Sequence, residues 1–219
     1  MVSGENPERW RDRPSLLRPV ESLVEELPVR DWYPIQQPLE LEIGCGDGSF
    51  LFHHAAKHRA RNFLGIERLK GRLSKLDRVA RREGLTNLAL VRLEARYLMR
   101  YLLPEKSFSA IHVYFPDPWP KKKHRKNRIV NEEFTELASR ILKEGGCVHL
   151  RTDDENYHEQ MLEVFASLAS WTAIEISDDL KAIRTDFERE FNSKDIPTRY
   201  ANYELTGRSN VDDRAATGA

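Results

Sequence analysis

The chain has little cysteine and no long apolar run, and these absences argue against a membrane-spanning protein and against a disulfide-stabilised one. No apolar stretch approaches the roughly 20 residues that cross a bilayer, so we expect no membrane partner. The first residues contain no apolar segment typical of a signal peptide. With only two cysteines, Cys45 and Cys147, no disulfide framework is indicated. The sequence therefore predicts a cytoplasmic protein and leaves open whether it is a monomer or a homodimer.

Net charge is also lacking, because 35 basic residues balance 35 acidic ones. Taken alone, this balance disfavours a nucleic-acid partner. The distribution of charge matters more than its sum, and six of the eight residues at 121–128 (KKKHRKNR) are lysine or arginine. Most such runs form a solvated surface, but a focused cationic segment on a neutral chain is also typical of a phosphate-binding loop.

The length of 219 residues and the 40% hydrophobic content predict one globular domain with extensions. Residues 1–38 hold six of the eleven prolines, which indicates a Pro-rich, mobile N-terminal arm with a short helix near residues 20–27. The main domain is predicted at 39–207. Residues 208–219 are small and polar, and we expect a flexible C-terminal tail there.

Strand-like and helix-like segments alternate through the main domain. The predicted helices cover 49–59, 70–83, 131–143 and 155–170. The predicted strands cover 39–43, 62–67, 88–93, 109–115, 147–151, 172–177 and 200–205. This alternation predicts an α/β fold with a mostly parallel central sheet and helices on both faces. In such sheets the ligand binds beyond the carboxyl ends of the strands.

Residues that suit a nucleoside cofactor collect at those strand ends. The first strand carries Glu42 and runs into a turn in which Gly44 and Gly46 permit close approach of a ligand to the backbone. Glu67 ends the second strand, where a carboxylate can accept from both hydroxyls of a ribose. Glu94 follows the third strand, within reach of an adenine amino group. The alternative is a glycine turn with no ligand and with unrelated acids at the surface. Three acids at successive strand ends make that alternative much weaker.

Either NAD or S-adenosylmethionine (SAM) could occupy such a site. A dinucleotide fingerprint wants G-x-G-x-x-G/A, whereas here the third glycine, Gly48, comes one position early. Glu42 would repel a pyrophosphate but suits the ammonium and sulfonium charges of SAM. The electrostatics favour SAM, and an NAD-dependent oxidoreductase remains the alternative enzyme.

The fourth strand ends in a rigid loop, FPDPWP, in which three prolines surround Asp117 and Trp119. A rigid loop suits a site that must hold a carboxylate in one place. The cationic segment follows directly, which favours phosphate contact. A non-catalytic RNA-binding module would explain the cationic segment but not the glycine turn or the acids. No metal is expected, since the pair His54 and His58 lacks the glutamate of a zinc protease helix.

Five segments in order, LEIGCGDG, GIER, FPDPWPKKKHRKNR, LRTDD and TDFEREF, resemble the bacterial tRNA (guanine-N7-)-methyltransferase family over roughly residues 39–200. The resemblance implies a Rossmann-like, SAM-dependent methyltransferase fold. It also implies that the chain methylates N7 of a guanine in the variable loop of tRNA. The family usually has Asp where this chain has Glu94, and Glycine where it has Asp195.

The resemblance also implies roles for individual residues. Asp117 is the expected catalytic residue and also joins the cofactor site, which comprises Glu42, Gly44, Gly46, Glu67, Glu94 and Asp117. Substrate contacts are expected at Lys121, Asp153, Thr185, Asp186, Phe187 and Glu188. The RNA-contacting stretch is expected at Lys123, His124, Arg125, Lys126, Asn127 and Arg128.

Overall fold

A computed structural model of the chain describes residues 9–207. The predicted C-terminal tail, 208–219, and the first eight residues of the predicted arm lie outside the described residues. Within 9–207, no helix combines the length and the apolar character needed to cross a membrane. Cys45 and Cys147 are both free thiols.

Eight strands form one sheet, and their order across it is β1-β4-β3-β2-β5-β6-β8-β7. The strands are β1 (Leu17–Arg18), β2 (Leu39–Ile43), β3 (Asn62–Ile66), β4 (Leu88–Val91), β5 (Phe108–Tyr114), β6 (Leu142–Thr152), β7 (Trp171–Ala173) and β8 (Arg199–Leu205). The pairings from β1 to β6 are parallel, and β8 runs antiparallel to both of its neighbours. The predicted mostly parallel α/β sheet is confirmed.

Within residues 9–207, seven α-helices lie between the strands: α1 (Leu51–Lys57), α2 (Lys70–Arg82), α3 (Ala95–Tyr97), α4 (Glu132–Ile141), α5 (Glu155–Ala166), α6 (Asp178–Ala182) and α7 (Asp186–Asn192). A π-helical turn, Leu98–Leu102, continues α3, and the cationic segment forms a 3-10 helix, Lys122–Asn127. Asn131 caps α4, because its side chain accepts from the Phe134 amide at 3.0 Å.

The two faces of the sheet differ in chemistry. On β2, Leu41 and Ile43 join the larger apolar cluster with α4, α5 and the π-helical turn, which we call the first face. The alternate residues Glu40 and Glu42 point to the opposite, second face, since successive side chains of a strand alternate. That face is covered by α1, α2 and α6 through two smaller apolar clusters. Helices therefore cover both faces of the sheet, as predicted.

Some predicted elements differ from the structure. Residues 20–27 contain no helix. The described part of the arm instead follows the domain surface: β1 extends the sheet beside β4, the Leu27 amide donates to Leu102 O at 2.8 Å, and the Tyr33 hydroxyl donates to Phe63 O at 2.8 Å. Burial of apolar side chains at Leu16, Leu27 and Val29 replaces helical hydrogen bonds that the flanking prolines disfavour.

The helix predicted to extend to residue 143 ends at Ile141. Leu142 already pairs with Phe108 in the sheet, and the pairing resumes only at Cys147 opposite Ala110. The intervening residues bulge outward, with Gly145 at a φ of 73°, which glycine adopts without steric cost. The late strand predicted at 172–177 is confined to Trp171–Ala173.

A buried polar network occupies the centre of the second face. The Glu40 carboxylate accepts from His54 Nε2 at 2.9 Å, from His112 Nε2 at 3.0 Å and from Arg61 at 2.5 Å. His112 Nδ1 accepts from the Tyr114 hydroxyl at 2.8 Å. Among the described residues, Glu40, His54 and His112 come nearest to a metal site, with ligand atoms within 4.8 Å of one another. The Nε2 atoms of both histidines already donate to Glu40 Oε2.

The network fixes the protonation of its members. Burial lowers the pKa of His112 to about 3, so this imidazole is neutral. Burial opposes ionisation of Glu40, but the hydrogen bonds from His112 and His54 outweigh it and hold the pKa of this carboxyl well below its usual range. Because the unfolded chain binds protons at both groups more readily than the folded chain, stability falls as pH drops from about 6.5.

We predict that Glu40→Gln lowers the free energy of unfolding at pH 7 by about 1.5–3 kcal/mol, since charged hydrogen bonds are lost in the interior. The deficit relative to the parent should shrink below about pH 4.5, where the unfolded chain protonates Glu40 and the parent loses the same contribution. Urea unfolding at pH 7, 5.5 and 4 measures both effects. Glu136→Gln, on the exposed face of α4, is the control. Equal stability of parent and Glu40→Gln at pH 7 would contradict the prediction.

Candidate active site

Five acidic side chains lie at or just beyond the carboxyl ends of five neighbouring strands. In the order of the sheet they are Glu94 after β4, Glu67 after β3, Glu42 on β2, Asp117 after β5 and Asp153 after β6. Neighbouring strands are about 4.8 Å apart, so this row extends over roughly 19 Å. It is long enough for a nucleoside cofactor at one end and a base at the other. The structure thus brings the predicted acids to one edge.

Glu42 is the most unusual of these acids. Its side chain is buried, with 4% exposure, and its Oε2 has no hydrogen-bond partner among the described residues. Burial raises the pKa of Glu42 to about 8, and the charges of Asp47 and Glu67 add to the rise while Arg151 opposes it. One oxygen of this buried carboxyl is therefore free to bind a polar or cationic group of a ligand.

The glycine turn leaves room above the sheet. A side chain added at Gly44, which has a φ of 73°, would meet no atom within 4 Å, so a ligand can approach the backbone there. Gly48 has the opposite reason to be glycine, since an added Cβ would lie 2.4 Å from Leu76 of α2. Helix α1 begins at Leu51, two residues later than predicted. The helix start is therefore set back from the turn, unlike a pyrophosphate-binding helix.

The protein backbone orients the two acids expected near the nucleoside. Glu67 accepts from the amides of Gly46, Arg68 and Leu69 at 3.1, 2.7 and 2.9 Å. Glu94 caps α3 by accepting from the amides of Arg96 and Tyr97 at 3.1 and 2.8 Å. Carboxylate oxygens have further lone pairs, so these bonds hold the groups in place and leave acceptor capacity for a ligand.

Asp117 lies on a strained loop. Phe115 and Trp119 have φ values of 50° and 44°, in the left-handed region that large side chains rarely adopt, at about 1–3 kcal/mol each. The side chain of Asp117 is exposed and makes no hydrogen bond to another residue of the described chain. Strain of this kind persists only where the surroundings determine the conformation, so the loop holds Asp117 in a defined position.

Arg128 holds the Asp117 loop in its conformation. Its position also corrects one prediction. We expected it to contact RNA, but its side chain is 1% exposed. Its Nε donates to Pro118 O at 2.7 Å, and its terminal nitrogens donate to Gln160 at 2.9 Å and Asn156 at 3.1 Å. The guanidinium also lies 4.6 Å from the Tyr157 ring centre. These partners leave Arg128 unavailable to phosphate, and it anchors the Asp117 loop instead.

The remaining cations of the segment are unpaired. Lys121, Lys122, Lys123 and Lys126 are exposed, Arg125 is half-buried, and none forms an ion pair within residues 9–207. The other two members, His124 and Asn127, lie on the same 3-10 helix. Positive charge without a countercharge beside Asp117 can attract an anionic ligand.

The segment expected to contact substrate divides into two pairs. Thr185 and Glu188 are buried: the Thr185 hydroxyl caps α7, and Glu188 accepts from Arg151 at 2.9 Å and from the Tyr200 hydroxyl at 2.8 Å. Their side chains make hydrogen bonds within the protein, and the substrate contacts expected of both residues stay predictions. Asp186 and Phe187 are exposed at the same edge, where the Asp186 amide donates to Ser49 Oγ at 3.1 Å.

The turn after α7 has the geometry expected of the family's glycine. Asp195 adopts a φ of 60°, in the left-handed region where glycine is favoured and where Asp is among the better tolerated side chains. The substitution therefore keeps the turn.

Arg151 was missed by sequence reasoning, although it lies in the LRTDD segment. It is fully buried, and it donates to Ile183 O at 2.8 Å, to Leu180 O at 2.5 Å and to Glu188. Its guanidinium lies 4.2 Å from the Tyr114 ring centre. It joins the end of β6 to α6 and α7. An arginine directly after the apolar Leu150, near the end of an internal strand, was the available signal, since such a residue must find partners when buried.

We predict that SAM binding at pH 7 releases most of one proton, because Glu42 has a pKa of about 8 in the free protein and must ionise beside the bound ammonium. Calorimetry in buffers of different ionisation enthalpy measures this number. Glu42→Gln should remove the release and weaken SAM binding, whereas Glu136→Gln should behave as the parent. Proton release that is unchanged in Glu42→Gln would show that another group titrates.

Comparison with known proteins identifies the family. A family model described as "Putative methyltransferase" matches residues 36–199. The tRNA (guanine-N(7)-)-methyltransferase of Staphylococcus saprophyticus is 34% identical over 172 residues, covering 76% of this chain and 81% of the relative. That of Idiomarina loihiensis is 35% identical, covering 73% of this chain and 67% of the relative.

Solved structures share the fold at lower identity. The 16S rRNA methyltransferase KamB aligns with a TM-score of 0.60 and 15% identity over 82% of this chain and 91% of its own. An rRNA methylase from Streptococcus thermophilus aligns with a TM-score of 0.52 and 17% identity over 78% and 88%. These likenesses bear on the fold alone, whereas the sequence relatives establish the family. The chain belongs to the tRNA (guanine-N7-)-methyltransferase family of SAM-dependent enzymes.

Proposed function

We propose that this chain transfers the methyl group of SAM to N7 of a guanine in the variable loop of tRNA, forming 7-methylguanosine. One arrangement carries the proposal. The buried carboxyl of Glu42, whose Oε2 has no partner within the described residues, lies on β2, and the exposed carboxylate of Asp117 follows the neighbouring strand β5, next to unpaired cations. NAD does not suit this site, because the carboxylate of Glu42, next to the glycine turn, would repel its pyrophosphate. A purely RNA-binding module leaves the buried carboxyl without a role.

The cofactor residues divide by chemistry. When bound, SAM supplies a methyl group on a positively charged sulfur. Glu42 would hold the ammonium group, Glu67 would accept from the ribose hydroxyls, and Glu94 would accept from the adenine amino group. Gly44 leaves the backbone open on the same side of the sheet. Because backbone amides already orient Glu67 and Glu94, little ordering of these side chains remains for binding.

Guanine N7 has a free lone pair, so the protein need not remove a proton before attack. Its task is to align N7 with the methyl group and to stabilise the positive charge that develops on the purine. Asp117 is the group we assign to that charge, because its carboxylate is exposed on a loop that Arg128 fixes. Asp153, on the next strand, would accept from donors on the base edge.

The residues around Asp117 would position the RNA. Lys121 would act on the target nucleotide, and Lys123, Arg125 and Lys126 would contact phosphates. Phe187 and Asp186 would border the base from α7, with Glu188 and Thr185 supporting them from beneath. We place the enzyme in the cytoplasm as a monomer or a homodimer, which light scattering of the purified protein distinguishes.

The proposal is tested by incubating the protein with tritiated SAM and unmodified tRNA, then digesting the RNA to nucleosides. We expect label in 7-methylguanosine, and sequencing of the product should place it in the variable loop. Label in another nucleoside, or none, would refute the proposal.

We predict that Asp117→Asn lowers the single-turnover rate at saturating SAM and tRNA by about 100-fold or more, since it removes the charge that offsets the developing cation. The amide keeps the shape of the side chain, so affinity for tRNA should change little. Asp31→Asn, at an exposed position of the N-terminal segment, is the control. A parental rate in Asp117→Asn would exclude the electrostatic role.

We predict that Lys123→Ala with Lys126→Ala weakens tRNA binding and leaves SAM binding unchanged. Loss of two phosphate contacts should reduce the slope of log affinity against log salt by about 1.4–1.8. The matched control is Arg30→Ala with Lys143→Ala, which removes two exposed cations outside the cationic segment. Filter binding across a salt series measures both. Parallel lines of equal height for all three proteins would mean that the segment does not bind RNA.

A further inference from the structure

We propose that Trp119 is a stacking subsite for a second nucleobase, that of the nucleotide next to the target guanine. The inference rests on the proposed function and adds a base contact to it. It depends on three features of Trp119: a partly exposed ring, a backbone held in a strained conformation, and unpaired cations that follow it in the chain.

Trp119 differs in environment from the other three tryptophans. Trp171 is buried against Phe165, with ring centres 5.1 Å apart, and Trp10 lies beneath Arg11 and Arg81 at 5.0 and 5.9 Å. Trp32 packs on the larger apolar cluster. Trp119 is 37% exposed, and among residues 9–207 the ring that pairs with it is that of His124, with centres 6.0 Å apart and planes inclined by 34°. More than a third of the Trp119 surface is therefore accessible to a ligand.

The exposure is built into the loop. The φ of 44° at Trp119 is unfavourable for a bulky residue, and prolines on both sides restrict any escape from it. Arg128 binds the carbonyl of Pro118 from the interior, so the residue before Trp119 is held by a buried group. A loop that served only as a connection could relax and bury this ring, and here it does not.

Charge identifies the occupant. Lys121, Lys122 and Lys123 follow the loop directly, are exposed, and have no ion-pair partner in the described chain. An aromatic ring among unpaired cations matches the way proteins bind unpaired nucleic acid, with bases on rings and phosphates on cations. Asp117 lies two residues before Trp119, so their Cα atoms are at most about 7 Å apart. That is about the spacing of successive nucleotides in an extended strand, so the adjacent base is within reach.

The subsite would also assist access to the guanine. A guanine drawn from a folded RNA towards Asp117 leaves its neighbour without a stacking partner, which opposes the opening. The ring of Trp119 replaces that partner at the moment of extrusion. Trp119 is thus a positioning residue, and its effect should appear in RNA binding and in KM more than in the chemical step.

The test compares Trp119→Ala and Trp119→Phe with the parent on unmodified tRNA. Trp119→Ala should weaken tRNA affinity about 5- to 150-fold, the usual range for removing one base-stacking ring. Trp119→Phe should keep most of the affinity. The salt slope should match the parent in both, unlike that of Lys123→Ala with Lys126→Ala, because no phosphate contact is lost. Affinity for SAM and the melting temperature should be parental.

Two tRNAs identify the stacked base, one abasic at the 5′ neighbour of the guanine and one at the 3′ neighbour. With one of them the penalty of Trp119→Ala should disappear, since ring and base form a single interaction. The inference is overturned if Trp119→Ala binds like the parent, if the penalty persists with both abasic tRNAs, or if the variant instead loses SAM affinity or thermal stability. Formation of 7-methylguanosine by the parent is scored separately, so failure of the subsite is distinguishable from failure of the proposed function.

Discussion

Glu40 and Glu42 lie two residues apart on β2, and both carboxyl groups are buried beneath α1. The central part of the fold depends on how each of these groups is stabilised. Burying a carboxylate is costly unless hydrogen bonds or a countercharge accompany it. Glu40 receives both from His54, His112 and Arg61. Glu42 Oε2, at the carboxyl end of the strand, has no partner within the described residues. The same strand thus carries one buried carboxylate satisfied by the protein and one buried carboxyl for which we propose the ammonium group of SAM as the partner.

Two buried arginines divide the support of the site between them. Arg128 connects α5 to the Asp117 loop, and Arg151 connects β6 to α6 and α7. Each guanidinium has several donors in a fixed plane, so it can bind carbonyl and side-chain oxygens from separate segments at once. The loop that carries Asp117 and the segment that carries Asp186 and Phe187 are therefore held to the interior by two buried side chains.

The sequence was informative wherever a local rule decides the structure. Alternation of strands and helices predicted the parallel sheet, and acids at successive strand ends predicted that these side chains would lie at one edge of it. It was less informative where tertiary contacts decide. Residues 20–27 form no helix, because β1 before them pairs with the edge of the sheet and Leu27 bonds to the π-helical turn. Arg128 looked like one more cation of its run, and only the packing of α5 distinguishes it. Burial likewise turned Thr185 and Glu188 inward, which residue type alone does not reveal.

The ends of the sheet have a bearing on how the chain meets others of its kind. Its outermost strands, β1 and β7, are two and three residues long. Long exposed edges offer unpaired amides and carbonyls on which a second chain can form strands, and short edges withhold that template. Association by extending the sheet from one molecule to the next is therefore disfavoured. A homodimer would have to form through helices or loops, and so would leave the strand order within each molecule intact.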